Sequence, residues 1–247
     1  MSGLVLALDV RMRYVDSDGV PTGGYIGLLN PVSFNIETPE AERTPRVSKL
    51  RDSYGQALDE LVTPQPQTIS FTTDETGDAE VLAWAMNGQV GDYTQASGTV
   101  TEQEITVVKG EWYKLPHRVI SAVELEPAGG GTPYVVDVDY LVDPAAGMIK
   151  ITQGGAIASG AIDISYAHAA ITGKKIGSGS RPSIQVRIEG EGKNLANGKA
   201  VSILVRRANL SASGSLDFTS DDWVQTTLTG TPLKVGANDP VEVTLVT

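Results

Sequence analysis

The chain has 247 residues, 40% of them hydrophobic and 20% charged, enough to bury a sizeable core and unlike the composition of a disordered segment. It has no Cys, which removes disulfides, thiolate nucleophiles and Cys-ligated zinc together. The formal charge of −11 opposes tight nucleic-acid binding, and it is uneven: −8 over residues 1–98, −5 over 99–169 and +2 over 170–247.

No apolar run approaches the roughly 18 to 20 residues that cross a bilayer. The opening MSGLVLALDVRMRYVDSDG lacks a basic n-region, a long apolar stretch and a small-residue cleavage site, so neither a membrane span nor an export signal is expected. In chain order, short alternating segments predict strands over residues 4–14, 25–36, 68–72, 104–108, 118–126, 134–142, 148–152, 161–167, 183–189, 200–208, 223–228 and 241–246. Asp16-Ser-Asp-Gly19, Ala145-Ala-Gly147, Gly154-Gly155 and Asn197-Gly198 mark the turns between them, the last as a two-residue hairpin signal. The fold class is all-β.

One helix is expected over residues 78–87, where Ala79, Leu82, Ala83 and Met86 share a face, acidic residues occupy the first turn and Gly88 offers a C′ position. It suits capping an open edge or face of a sheet. Residues 48–62 also have helical spacing, in Leu50, Tyr54, Leu58 and Leu61, but Gly55 interrupts them and Pro45 and Pro64 bracket them. A helix and an extended arm that orders against a neighbour both remain open for this stretch.

Residues 99–169 read as an inserted small β domain, entered through QASGTVTEQE and left through HAAITGKKIGSGSRP as linkers, with GGGTP at 129–133 as a hairpin tip. Residues 1–98 and 170–247 then form the core, with a long polar arm at 38–63.

The chemistry-bearing residues are few. His117 and His168 are the only histidines, so a zinc site has to recruit distant carboxylates, and no metal is expected. No G-x-S-x-G elbow occurs. In GKNLANGK (192–199) the glycines are six apart, Ala200 stands where a Ser or Thr is required, and a hairpin turn explains the residues better than a phosphate loop. The GSGSRP run at 177–182 lacks the third glycine of a dinucleotide fingerprint. Asp137 and Asp139 read as one solvated strand face ending in a turn at Asp143 in preference to a calcium site, and Asp221-Asp222 before Trp223 as a strand start or a turn cap in preference to an acid-base pair. Asn209-Leu-Ser211 is a chance glycosylation match. No catalytic residue and no cofactor is expected, and the chain reads as a non-enzyme.

One pattern asks for a partner. Arg43, Arg46, Lys49 and Arg51 lie within nine residues, with Glu40 and Glu42 on one side and Asp59 and Glu60 on the other. A solvated loop explains it blandly. An arm that meets an acidic surface of another subunit, with basic middle and acidic ends setting register, explains it functionally.

The ordered pattern LVLALDVRMRYVDSDGVPTGGYIGLLNPVSFNIETPEAE, SKLRDSYGQALDELVTPQPQTISFTTDE, DAEVLAWAMNG and the terminal IQVRIEGEGKNLANGKAVSILVRRANLSASGSLDFTSDDWVQTTLTGTPL resembles the major tail tube proteins of long-tailed (siphovirus-like) bacteriophages. The resemblance covers residues 1–98 and 170–247; YVVDVDYLVDPAAGMIKITQGG and IDISYAHA look like the small β unit that some of these proteins carry outside the tube. It implies a two-sheet antiparallel β-sandwich with one short flanking helix. It also implies a virion protein, made in the bacterial host cytoplasm, whose hexameric rings stack into a tube for genome ejection. The arm would reach the adjacent ring through Arg43, Arg46, Lys49, Arg51, Tyr54 and Gln56. Implied partners are copies of itself, a tape measure inside the tube, a tail terminator, a distal tail protein and passing DNA that an acidic lumen does not bind specifically; no membrane is implied. The competing expectations are an Ig-like adhesive or baseplate component whose inserted domain binds a host surface, and a β-sandwich hydrolase.

Overall fold

A computed structural model describes residues 3–246. It is 55% strand and 3% helix, an all-β, sandwich-like fold with one short helix. The chain divides into two compact units, residues 1–91 with 176–247, and residues 92–175; the sequence boundaries fall at 98/99 and 169/170.

The first unit is built on eight strands: β1 (Leu6–Tyr14), β2 (Ile26–Leu29), β3 (Pro31–Glu37), β6 (Thr68–Thr73), β15 (Ile184–Asn194), β16 (Ala200–Ser213), β17 (Thr226–Pro232) and β18 (Val241–Leu245). The order is β2-β1-β15-β16-β17-β6-β3, with β18 also on β16. Two strands turn this sheet into layers. The first half of β16 pairs β18 through Val201–Val205 and its second half pairs β17 through Ala208–Ser213. The expected strand 25–36 is two, because Asn30-Pro31 breaks it: Leu29 and Ile26 of β2 pair Val10 and Met12 of β1, whereas β3 pairs β6. Strands that switch partners in this way make the corners of a sandwich. Period-2 alternation aims Val10, Met12, Ile69, Phe71, Val186, Ile188, Val205, Leu210 and Leu228 into one core. The opposite face of β1 and β15 carries an ion-paired lattice, with Glu189 against Arg187 at 2.6 Å, Arg13 at 3.3 Å and the Tyr25 hydroxyl at 2.5 Å.

The helix α1 (Ala79–Ala85) is capped by Asp78, whose Oδ1 accepts from the Glu80 and Val81 amides at 2.8 and 3.3 Å. Its end corrects the expected cap by one residue. Asn87, at φ +48°, holds the left-handed C′ position, and Gly88 follows as C″, donating to Ala83 O at 2.7 Å. Gly88 is needed for space, since a Cβ there would lie 2.2 Å from Gly177 O. Val81, Ala83 and Trp84 are buried, so the helix closes the core.

The segment of open conformation, 48–62, contains no helix. It belongs to a β-hairpin of β4 (Glu42–Val47) and β5 (Ala57–Thr63), which pair with each other and with no other strand.

The second unit contains two three-stranded sheets, β10 (Ile120–Pro127), β13 (Gly160–His168) and β8 (Gly98–Val107), and β11 (Tyr140–Asp143), β12 (Met148–Ile151) and β9 (Trp112–Lys114). Leu125, Ile149, Ile151, Ile157, Ile162, Ile164 and Tyr166 fill its core. Several expectations are corrected here. The run read as an entry linker, 95–104, contains the first part of β8, whose end at 104–107 was expected as strand, and the exit run contains β14 (Ile171–Gly177), which pairs β7 (Gln89–Gln95). GGGTP joins strands of different sheets and is no hairpin tip. Residues 134–139 form a turn before β11, not strand. In the first unit, Asn197-Gly198 closes a longer loop between Asn194 and Lys199, and β17 begins at Thr226, so Asp221-Asp222 starts no strand.

Candidate functional site

The arm is the part of the chain whose structure its own packing does not explain. Its strands lie between Glu37, opposite Thr68 where β3 and β6 end, and the prolines Pro39, Pro64 and Pro66 interrupt the ladder at its root. Every residue of β4 and β5 is exposed. The tip organises itself around Ser48, the one buried residue of the hairpin. Ser48 Oγ contacts Ser53 Oγ at 2.7 Å and accepts from the Leu50 amide at 3.2 Å; the Ser48 amide donates to Gln56 O at 2.8 Å and Gly55 N to Ser48 O at 3.0 Å. Gly55, at φ +86°, supplies the left-handed backbone that reverses the chain.

The six expected arm residues separate into shaft and tip. Arg43 lies on the shaft with its Nη1 2.7 Å from Glu60 Oε2, and Arg46 is directly opposite Asp59 in register. Two residues of the acidic end, Asp59 and Glu60, thus face the basic residues Arg46 and Arg43 across the hairpin itself. Lys49, Arg51, Tyr54 and Gln56 come together at the tip. Lys49 Nζ is 5.6 Å from the Tyr54 ring centre, and Arg51 Nε is 3.7 Å from Asp52 Oδ1 in full solvent, while the Gln56 backbone closes the turn. Exposed pairs of this kind contribute about 0–1 kcal/mol. A lone two-stranded hairpin is marginal in water.

Sequence reading missed the apolar part of the site. Val47, Leu50, Tyr54, Leu58, Leu61 and Val62 are all exposed, Tyr54 at 71%. So many exposed large apolar side chains on one short hairpin suit a contact with another protein surface. Short β-rich runs, TPRV and ELVT, on either side of a Ser-Tyr-Gly turn were the available signal, hidden by the fortuitous helical spacing of the leucines.

The remaining candidates resolve into structural roles. His117 and His168 stack with centroids 3.7 Å apart and planes 3° from parallel, and His117 Nδ1 lies 2.9 Å from the Tyr166 hydroxyl. Asp139 is buried, not on a solvated face; its carboxylate accepts from Ala156 N at 2.6 Å and Val135 N at 2.8 Å, which holds its pKa below the ordinary carboxylate value. Among the described residues no group of three His, Asp or Glu is placed to hold a metal. Of residues 192–199, the first three end β15 and the rest form its turn to β16, and Asn209 pairs Thr231 within the sheet.

Two strand edges are also open. β18 pairs only β16, and β2 covers β1 only at Val10 and Met12, leaving the Leu6–Asp9 edge of β1 without a partner among the described residues. Val243 and Leu245 on β18 are half-exposed.

A family model described as "Protein of unknown function UCP028589" matches residues 27–241. No curated protein matches the chain.

Proposed function

We propose, from the premise that the chain belongs to the family described as protein of unknown function UCP028589, that it is a structural subunit that polymerises with copies of itself into stacked rings. The reading follows the resemblance to phage tail tube proteins, with hexameric rings in a virion tail and a bore for passing DNA. The observation that carries it is the arm: a hairpin with every strand residue exposed, six apolar side chains in solvent and, among the described residues, no third strand beside it. A chain gains nothing by holding such a surface in water; covered by a neighbour, it contributes buried apolar area at about 25 cal/mol per Å².

The open edges of β18 and β1 support the same reading. Unpaired edges invite strand addition, and a ring satisfies them without leaving a free end. The charge of −11 would multiply with copy number and disfavour adhesion of phosphates to the assembly. The outward lattice of β1 and β15 mixes Arg11, Arg13 and Arg187 with Asp9, Glu189 and Glu191, so the acid excess of the subunit lies on other surfaces.

Negative-stain microscopy of the purified chain at increasing concentration tests the proposal. Hollow rods with ring striations are expected. Monomers at every concentration overturn it.

A further inference from the structure

Strand β6 joins two surfaces of opposite charge. At its first residue, Thr68, the chain comes from the arm, whose tip between Ser48 and Gln56 carries Lys49 and Arg51 against the single carboxylate Asp52. After its last residue, Thr73, the chain turns through Asp74 and Glu75 toward α1. This turn and the β16–β17 loop enclose a groove of 640 Å³ lined by Asp74, Glu75, Asp221, Asp222 and Trp223. The groove is braced from within: Thr76 Oγ1 donates to Val224 O at 3.0 Å, and Asn30 Nδ2 donates to both Asp74 oxygens at 2.9 and 3.0 Å. None of its four carboxylates is in an ion pair among the described residues. Trp223 stands 80% exposed at its rim.

The six residues of β6 place the arm root and the groove about 20 Å apart at roughly 3.3 Å per residue, and the shaft of the arm adds a similar length. No residue of β4 or β5 is covered by the body of the unit, so the tip does not return to the groove of its own chain. Complementary surfaces at opposite ends of one strand fit a head-to-tail contact, the kind that propagates a filament. The groove has the volume of a typical ligand pocket, and an exposed Trp beside charged groups is the composition of an interface anchor.

We propose that this groove receives the arm tip of a second copy of the chain. Lys49 and Arg51 face Glu75, Asp221 and Asp222, and the apolar tip side chains Leu50 and Tyr54 cover Trp223. The proposal rests on the assembly reading and names the acceptor surface that reading leaves open. Charge complementarity at such a contact sets partner choice and association rate more than affinity, while the Trp contact supplies the apolar area.

Charge exchange tests it. The Asp221→Lys/Asp222→Lys and Lys49→Glu/Arg51→Glu variants, each checked for an unchanged circular-dichroism spectrum and Tm, are expected to raise the concentration needed for rod formation by about tenfold or more, equivalent to roughly 1.4 kcal/mol. All four changes in one chain restore it. Because the chain has no Cys, Lys49→Cys/Asp222→Cys should form disulfides between copies under mild oxidation, read as a ladder on non-reducing gels. Wild-type rods with undiminished assembly of Asp221→Lys/Asp222→Lys, or rods without the disulfide ladder, overturn the groove contact and leave the assembly reading standing. Absence of wild-type rods overturns both.

Discussion

Ser48 Oγ lies 2.7 Å from Ser53 Oγ inside the tip of the arm, and Ser48 is the one residue of the hairpin that the chain itself buries. The tip is therefore shaped by hydrogen bonds and not by apolar packing. Ser48→Ala leaves the Leu50 amide and the Ser53 hydroxyl without this partner, a loss of about 0.5–1.5 kcal/mol, confined to a segment that supports no other. Hydrogen exchange is expected to accelerate severalfold at the tip amides that Ser48 organises, with the Tm of the chain unchanged. Equal protection in the two proteins removes Ser48 as the organiser of the tip.

Tyr14 joins helix to sheet in the first unit. Its hydroxyl donates to Glu80 Oε2 at 2.9 Å and accepts from Trp84 Nε1 at 2.6 Å and Arg181 Nη1 at 3.1 Å, with the Tyr14 and Trp84 rings edge to face. Burial raises the phenol above its ordinary pKa of 10.0, the Trp84 hydrogen bond opposes this, and Glu80 adds to the rise. A pKa raised by folding stabilises the fold fully below the unfolded value and loses that contribution as pH rises through the folded one. Thermal stability should therefore decline above pH 10.0 more steeply in wild type than in Tyr14→Phe. At neutral pH the same substitution should cost about 1–3 kcal/mol by leaving the Trp84 N–H unpartnered, a fall of several degrees in Tm. Parallel melts of the two proteins across that pH range check both halves.

How much of this was legible in the sequence depends on whether a segment buries a face. β1, β15 and β16 alternate because Val10, Met12, Val186, Ile188, Val205 and Leu210 must reach one core; the helix was legible as an element, but it buries Val81, Ala83 and Trp84, so of the expected face Ala79, Leu82, Ala83 and Met86 only Ala83 is buried. The segments misread are those released from the demand to reach a core. β8 turns only Val100, Ile105 and Val107 toward its core, so the Thr and Glu residues of its first half looked like a linker. In the arm no face is buried within the chain, so Leu50, Tyr54, Leu58 and Leu61 carry no strand period. The basic cluster was legible because charge is local in sequence; the acceptor groove was not, because Asp74 and Asp221 meet only through the pairing of β6 with β17.

Asp139 gives the second unit an acid-sensitive point. Its carboxylate accepts first from the Ala156 amide and then from Val135, which lowers its pKa from the ordinary 3.8. A pKa depressed by folding contributes stability above the unfolded value and loses it as pH falls through the folded one. Asp139→Asn removes the charge that these two amides address and puts an NH₂ donor in competition with them. The expected result is a Tm lower by roughly a few degrees at neutral pH and a flatter acid limb below pH 3.8 than in wild type. A wild-type acid limb that Asp139→Asn reproduces removes Asp139 as its source.

On the proposed assembly the arm and the β18 edge act on different steps, and two variants separate them. β18 pairs β16 from Val201↔Leu245 to Val205↔Val241, and its other edge is open, with Val243 and Leu245 half-exposed beside it. A Lys on an edge strand blocks strand addition at little cost to the fold, because its charge remains in solvent while the backbone keeps its existing partner. Val243→Lys should thus leave Tm within about 1–2 °C of wild type, as surface substitutions do, and yield monomers in sedimentation velocity if the proposed ring closes through this edge. Deletion of residues 48–59, by contrast, should yield isolated rings without rods, because the edges still pair while the contact between rings is gone. If the deleted chain still forms rods, the arm plays no part in stacking; if Val243→Lys forms rings, the seam lies at another edge. Monomers from the first variant and single rings from the second place β18 in the ring and the arm between rings.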